Sequence, residues 1–311
     1  RRRLESGPGN NAYRQFEGGA WRNYTWAQVA ELVARWQGGL AGEGLRPGDR
    51  VAVSLRNSVD WVAFDQAALG LGLVVVPLYA TDNPENLAHI LTDSGSRLLL
   101  IDSDRRWGAL VQGGRALPEL RRVLCASSTA DPGSLESAGD RVRPLSAWLP
   151  DRGRALVDRV RDPHALATLV YTSGTTGPSK GVMLSHRAIL WDAEAVQRRI
   201  PARPTDLFLS FLPLAHAFER TVGYYLPMMA GACVAYARSI EQLRHDLMVV
   251  RPTVLLSVPR VYDRIYLAIH TKIGGRGLRR WLFETTVAVG WQRFQARAGH
   301  APQPGPLTRL L

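Results

Sequence analysis

Residues Tyr171–Ser185 read YTSGTTGPSKGVMLS. Glycines and small hydroxyl side chains lie between two apolar runs, Leu166–Tyr171 before them and Gly181–Leu184 after. Short apolar runs bounded by Gly, Ser and Thr read as strands, so the segment is expected to be a loop joining two strands. Glycine lets the backbone approach a ligand closely and adopt positive φ, and successive small residues can turn their N–H groups toward an anion. Thr172, Ser173, Thr175 and Thr176 supply hydroxyls, Gly174 and Gly177 supply conformational freedom, and Lys180 supplies a cation. That combination suits a polyphosphate; the alternative is a plain polar hairpin loop, disfavoured by the lysine and the apolar flanks. The P-loop signature G-x-x-x-x-G-K-[ST] is not met. Lys180 follows Ser179 instead of Gly, Gly181 stands where the metal-binding hydroxyl belongs, and a strand follows instead of a helix.

On the carboxyl-terminal side, Ser185 can cap a helix carrying Ala188, Ile189 and Val196. Asp206–Leu212 and Ala232–Tyr236 read as strands with a helix between them. Thr253–Ser257 is a further strand, and Pro259 opens a helix bearing Val261, Ile265, Leu267 and Ile269. Leu278–Ala298 has helical periodicity with a basic face. On the amino-terminal side, Thr25 and Gln28 fit a capping box for a helix to about Leu40. Arg50–Leu55, Leu73–Leu78, Arg97–Asp102 and Arg122–Ala126 read as buried strands, and helices capped at Asn57-Ser58 and Asn83-Pro84 alternate with the first of them. Asp131–Asp140 is a polar loop. The alternation predicts an α/β fold of layered, mostly parallel sheets flanked by helices. Residues 1–160 are expected to form a first α/β subdomain, partial at its amino terminus, and residues 161–311 a second that carries the loop.

The chain has 311 residues, 46% hydrophobic and 21% charged, a globular mixture. Its formal charge of +12 favours anionic partners such as nucleotides or acidic lipid surfaces. The arginines are dispersed and not interleaved with aromatic residues, so a nucleic-acid platform is not indicated. Cys125 and Cys233 show no metal or disulfide spacing, which fits a cytoplasmic setting, with peripheral contact at the inner face of an anionic membrane left open. The histidines show no HxxxH or HExxH spacing. The uncharged run around Gly223 and Gly231 is shorter than the ~20 residues a spanning helix needs. The chain opens on Arg1 and closes on Leu311 after a Pro/Gly-rich turn, and it is read as a piece of a longer protein.

YTSGTTGPSKGVMLSH resembles the signature loop of the adenylate-forming superfamily, which includes acyl-CoA synthetases, luciferases and peptide synthetase adenylation domains. The usual pattern has Pro directly before the Lys; here Pro178 is one place earlier and Ser179 takes that position. SFLPLAHAFER (Ser210–Arg220) and SVPRVYDRIY (Ser257–Tyr266) are similar to segments of the long-chain fatty acyl-CoA synthetase branch. Upstream, GLRPGDRVAV and LGLGLVVVPLYATDNPENLAHILTDSGSRLLLID resemble the amino-terminal region of the same enzymes, so nearly the whole chain is covered.

The resemblance implies an ATP-dependent, AMP-forming ligase that activates a fatty acid as its adenylate and transfers it to CoA. It implies that Thr172, Ser173, Gly174, Thr175, Thr176, Gly177 and Lys180 embrace the β- and γ-phosphates, with the Thr172 hydroxyl near Mg²⁺. Lys180 and His216 are the implied catalytic residues, His216 orienting the carboxylate or gating its pocket; an ordinary histidine near a helix start is the alternative. Glu219-Arg220 reads as a local ion pair. Tyr224, Tyr225, Met228 and Met229 suit either an acyl tunnel or the core. Apolar Leu212-Pro213-Leu214-Ala215 stands where amino-acid-activating relatives commonly carry an Asp, which favours a fatty acid first and an aryl or other carboxylic acid second. The family's later Glu, ribose-binding Asp, hinge and terminal Lys do not occur in this chain, so on its own it is expected to have little ligase activity. The rival reading is a non-catalytic relative that only binds nucleotide or acyl chains.

Overall fold

The computed structural model describes residues 2–127, 141–160, 162–172, 177–274, 277–297 and 299–300. The chain divides into two units, Arg1–Leu256 and Ser257–Leu311. Along the first unit run β1 (Asn11–Glu17), β2 (Ala20–Thr25), β3 (Arg50–Ser54), β4 (Val74–Pro77), β5 (Ser96–Ser103), β6 (Arg122–Ser127), β7 (Val142–Pro144), β8 (Leu166–Thr172), β9 (Lys180–Ser185), β10 (Leu207–Ser210), β11 (Cys233–Tyr236) and β12 (Val254–Leu255). They form two sheets, with strand orders β7-β6-β5-β3-β4-β8-β9 and β12-β10-β11-β1-β2. Every pairing is parallel except the hairpins β1–β2 and β8–β9. The expected α/β fold of mostly parallel sheets is therefore present.

Burial explains the layering. In β3 the alternation sends Val51 and Val53 into one apolar cluster and Ala52 into another, because successive side chains leave opposite faces of a strand. The first cluster fills the space between the two sheets. It holds Val51, Val75 and Leu100 from one sheet, Tyr13, Phe208 and Val234 from the other, and two helices, Trp26–Gly42 and Val59–Gly70. The second of these helices is buried nearly all round, with Val59, Trp61, Val62, Ala63, Phe64, Ala67 and Ala68 in the apolar packing and Asp65 buried among them, as a helix covered on both sides must be. Trp36 meets Phe64 edge-on at 5.3 Å. The outer face of the larger sheet is covered by the helices Pro84–Ser94 and Asp104–Gln112, and that of the smaller sheet by Leu243–Val250.

The helix starts follow the sequence. The Thr25 hydroxyl accepts from the Gln28 N–H at 3.3 Å, and Gln28 Oε1 accepts from the Thr25 N–H at 2.9 Å, completing the capping box. Thr25→Ala is expected to cost about 1 kcal/mol, read as a lower urea midpoint at unchanged slope. Ser58 and Asn83 cap the next two long helices as expected.

Each sheet draws strands from both sides of residues 160–161: β8 and β9 extend the larger sheet, and β1 and β2 extend the smaller. The helix expected between β10 and β11 is a π-helix, Glu219–Tyr225, followed by a short α-helix, Leu226–Ala230. The second unit holds two helices, Pro259–Ile273 and Leu278–Arg297, in which the His270 ring lies tilted against Tyr266 at 4.1 Å and meets Phe283 edge-on at 5.2 Å. The polar segment Asp131–Asp140 and the terminal turn lie outside the described residues. No helix among the described residues is long and apolar enough to cross a membrane. Cys125 and Cys233 are free, and burial pushes their thiols up to about 12 and about 11, so neither is a ready nucleophile.

Candidate functional site

The β8–β9 hairpin places Thr172 directly opposite Lys180. The two residues close the mouth of the loop whose middle, Ser173, Gly174, Thr175 and Thr176, lies outside the described residues. Thr172 and Lys180 are both exposed, and among the described residues no carboxylate pairs with Lys180. Gly177 sits at φ 89°, a conformation that penalises any Cβ.

The hairpin is anchored from one helix, Pro84–Ser94. The His89 ring meets the Ser179 carbonyl at 3.0 Å, the Ser179 hydroxyl donates to Asn86 Oδ1 at 3.0 Å, and the Tyr171 hydroxyl donates to Asp93 Oδ2 at 2.6 Å. Asn86, His89 and Asp93 share one face at helical spacing. Burial, reinforced by the Asp93 carboxylate, holds the Tyr171 phenol well above its usual range, so the bond keeps its proton.

His216 lies in the turn after β10. It is exposed, its Nδ1 accepts from the Phe218 N–H at 3.2 Å, and its carbonyl accepts from the Arg220 N–H at 3.0 Å. No hydrogen bond joins it to Lys180 among the described residues. The Leu212–Leu214 segment before it is held by Asn57, which donates to the Ser210 hydroxyl at 2.9 Å and the Leu212 carbonyl at 2.7 Å and accepts from the Leu214 N–H at 2.9 Å.

Glu219 and Arg220 do not pair with each other, contrary to the sequence expectation. Neighbouring residues on a helix point in different directions. Arg220 reaches instead to Asp65 on the helix between the sheets and donates to the Thr168 hydroxyl at 2.7 Å. Asp65 also accepts from the Tyr224 and Tyr225 hydroxyls at 2.9 and 3.1 Å. Burial works against the Arg220 charge, but the Asp65 carboxylate outweighs it and keeps the guanidinium protonated. Tyr224 and Tyr225 therefore belong to the core and its ion network, and the partly buried Met228 and Met229 pack against that core.

A cleft of about 450 Å³ opens where the carboxyl ends of strands from both sheets come together. Leu55 and Asn57 follow β3, Leu78 and Tyr79 follow β4, Phe211 and Leu214 follow β10, and Arg238 follows β11. Ligands of parallel α/β sheets bind at such strand ends. Its lining is largely apolar and includes Pro213, Leu214 and Ala215 of the stretch leading to His216; Thr172, Gly177, Lys180 and His216 are not in the wall. Asp65, Asn86, His89 and Asp93 are positions that the sequence reading did not single out, and Asn57, read only as part of a helix cap, holds the turn before His216. Among the described residues no His, Cys, Asp or Glu cluster forms a metal site.

Residues 1–300 match the family profile of the AMP-binding enzymes. The long-chain-fatty-acid–CoA ligase FadD15 of Mycobacterium bovis is 32% identical over 303 residues, which are 96% of this chain and 48% of that protein. ATP-bound MatB from Rhodopseudomonas palustris is similar in fold, with a TM-score of 0.67 at 24% identity, over 83% of this chain and 48% of that one. The anthranilate CoA ligase AuaEII, solved with anthranoyl-AMP, gives a TM-score of 0.70 at 19% identity, over 82% of this chain and 48% of that one. The chain thus spans about half the length of these proteins.

Proposed function

Because the chain belongs to the AMP-binding enzyme family, we propose that it works in an ATP-dependent ligase that joins a long-chain fatty acid to CoA. In the first step the fatty carboxylate attacks the α-phosphorus of ATP and pyrophosphate leaves, giving the acyl adenylate. In the second the CoA thiolate attacks the acyl carbonyl carbon and AMP leaves.

The observation that carries this reading is the hairpin register that sets the Thr172 hydroxyl opposite Lys180, which pairs with no carboxylate among the described residues. A cation with no protein carboxylate bonded to it is free to meet phosphate charge, and an alcohol oxygen suits Mg²⁺, a hard ion that also takes phosphate oxygens. The residues thus fit the group: Thr172 would hold Mg²⁺, whose bound charge neutralises the phosphates, and Thr172–Lys180 would wrap the β- and γ-phosphates. Lys180 would draw charge from the leaving pyrophosphate, the step that positioning and electrostatics control. His216, one residue past the cleft lining, would orient the carboxylate.

Fatty acid is favoured because Pro213, Leu214 and Ala215 give the cleft an apolar wall beside His216. The division at residues 160–161 is proposed as a functional one: residues 161–311 bring the loop and His216, and residues 1–160 bring the helices that hold both. Basic faces would add peripheral contact with anionic membrane, tested by salt-sensitive sedimentation with vesicles.

The test is a carboxylate panel on the full-length protein, scored by AMP release with and without CoA. Release that is highest with long-chain acids and needs CoA for turnover supports the reading. A preference for aryl acids, as in the name of the anthranilate ligase, would move the substrate class. Nucleotide binding with no AMP release would favour the non-catalytic alternative. Within the loop, Gly177→Ala is expected to weaken ATP binding about tenfold, read by calorimetry, since αL strain costs roughly 1–2 kcal/mol.

A further inference from the structure

Glu219 opens the π-helix and is 1% exposed, yet neither of its carboxyl oxygens has a hydrogen-bond partner among the described residues. Burying a carboxylate in this way is costly unless it is paired or neutral. Its seat is shaped for it: a Cβ on Gly223 would come within 2.4 Å of Oε1 and 2.6 Å of Cδ. Single stretches of π-helix often mark functional sites.

Among the described residues the groups around Glu219 leave it no cation. From β10 comes the Ser210 hydroxyl, which favours the charged form weakly, and from β11 comes Tyr236, a neutral phenol with no partner among the described residues. Tyr13 of β1 stacks on Tyr236 at 5.8 Å, its hydroxyl likewise unpartnered among the described residues. Arg220 is committed to Asp65, with Tyr224 and Tyr225 on the same carboxylate. On the helix His186–Arg199, packed against the π-helix, Arg187, Asp192, Glu194, Arg198 and Arg199 are exposed, and the half-buried His186 is held below its usual range by burial. Burial raises the Glu219 carboxyl to about 7, against the small opposing effect of Ser210. Ser210 itself accepts the Asn57 amide at 2.9 Å, and Asn57 holds Leu212–Leu214.

We propose that Glu219 is a positioning residue of the adenylating site: as the uncharged acid it stays seated against Gly223, and the start of the π-helix that it fixes holds the turn presenting His216 beside the cleft, through the Arg220 N–H that the His216 carbonyl accepts at 3.0 Å. This rests on the cleft being the carboxylate site of the proposed ligase. Ionisation leaves a buried anion with no cation beside it among the described residues, drives it toward solvent and loosens the turn. The folded state binds the proton more tightly than the unfolded chain, so stability falls as pH rises from 4.5 through about 7 and levels off above.

Two readouts on the full-length protein test this, thermal midpoint against pH and pyrophosphate exchange. In the parent protein the midpoint is expected to fall across about pH 5–8, and in Glu219→Gln, which mimics the neutral acid, that fall disappears. Glu219→Ala and Gly223→Ala are expected to lower kcat for exchange about tenfold at unchanged KM for ATP, and Glu219→Gln to recover most of that loss. An infrared band of a protonated carboxyl at about pH 6, absent from Glu219→Gln, identifies the group. A midpoint fall that persists in Glu219→Gln, or that vanishes in His186→Asn instead, overturns the assignment. So does a parent-like kcat in Glu219→Ala, and Gly223→Ala repeats that measurement if Glu219→Ala does not fold. If the parent exchanges with no carboxylate, the ligase reading and with it the positioning role fail, while the midpoint and infrared profiles still decide whether Glu219 is a neutral acid.

Discussion

Lys180→Ala is expected to slow pyrophosphate exchange at saturating ATP by roughly 100- to 1,000-fold, the usual effect of removing one pre-set electrostatic contact to developing charge. The residue is exposed, and no carboxylate among the described residues pairs with it. Its loss should therefore change folding stability by no more than about 0.5 kcal/mol. That separation makes the result interpretable, because a large loss of rate with an unchanged urea midpoint assigns the effect to phosphate contact. Lys180→Arg should keep the charge and recover part of the rate, since a guanidinium presents a broader fork in place of a compact ammonium. Exchange at the parent rate in Lys180→Ala would remove the loop from the chemistry.

Asp65→Ala should destabilise the fold by about 3–5 kcal/mol, because deleting one partner of a buried pair strands the other charge. Asp65 is 0% exposed and Arg220 3%. The substitution leaves Arg220 with no carboxylate and removes the acceptor for both tyrosine hydroxyls. Replacing the pair together, Asp65→Leu with Arg220→Met, should restore most of the loss, since apolar groups of similar size often substitute for buried ion pairs at little cost. Urea denaturation of the three proteins measures both effects. A loss below about 1 kcal/mol in Asp65→Ala would mean that the guanidinium finds another partner or solvent. The Thr168 hydroxyl, which Arg220 also holds, lies in β8, so this network ties the core to the strand that enters the loop.

What was legible in the sequence was local. Buried strands such as β3–β5 announce themselves as short apolar runs, and the capping side chains sit within three residues of what they cap. The loop was legible because its chemistry is contiguous. The β1–β2 hairpin was missed because Arg14, Glu17 and Arg22 interrupt the apolar alternation of strands with little burial; the Gly18-Gly19 pair was the available signal. The partner of Arg220 could not be read locally, since Asp65 is 155 positions away, and the adjacent acid Glu219 was the natural but wrong choice. The hairpin anchors Asn86, His89 and Asp93 carry a weak signal, three polar groups at helical spacing, that says nothing about what they hold. The cleft is built from five chain segments far apart in sequence and had no linear signature.

The placing of β1 beside β11 has a consequence for biogenesis. Tyr13 lies opposite Val234, 221 positions later. At ribosomal speeds of about 5–20 residues per second, the amino-terminal hairpin waits on the order of ten to forty seconds for its neighbour to emerge. Until then one side of β1 is a bare edge open to any passing strand. The larger sheet, whose strands all lie between residues 50 and 185, can close first. The nascent chain thus passes through a stage in which one sheet is finished and the other is still waiting for three of its five strands.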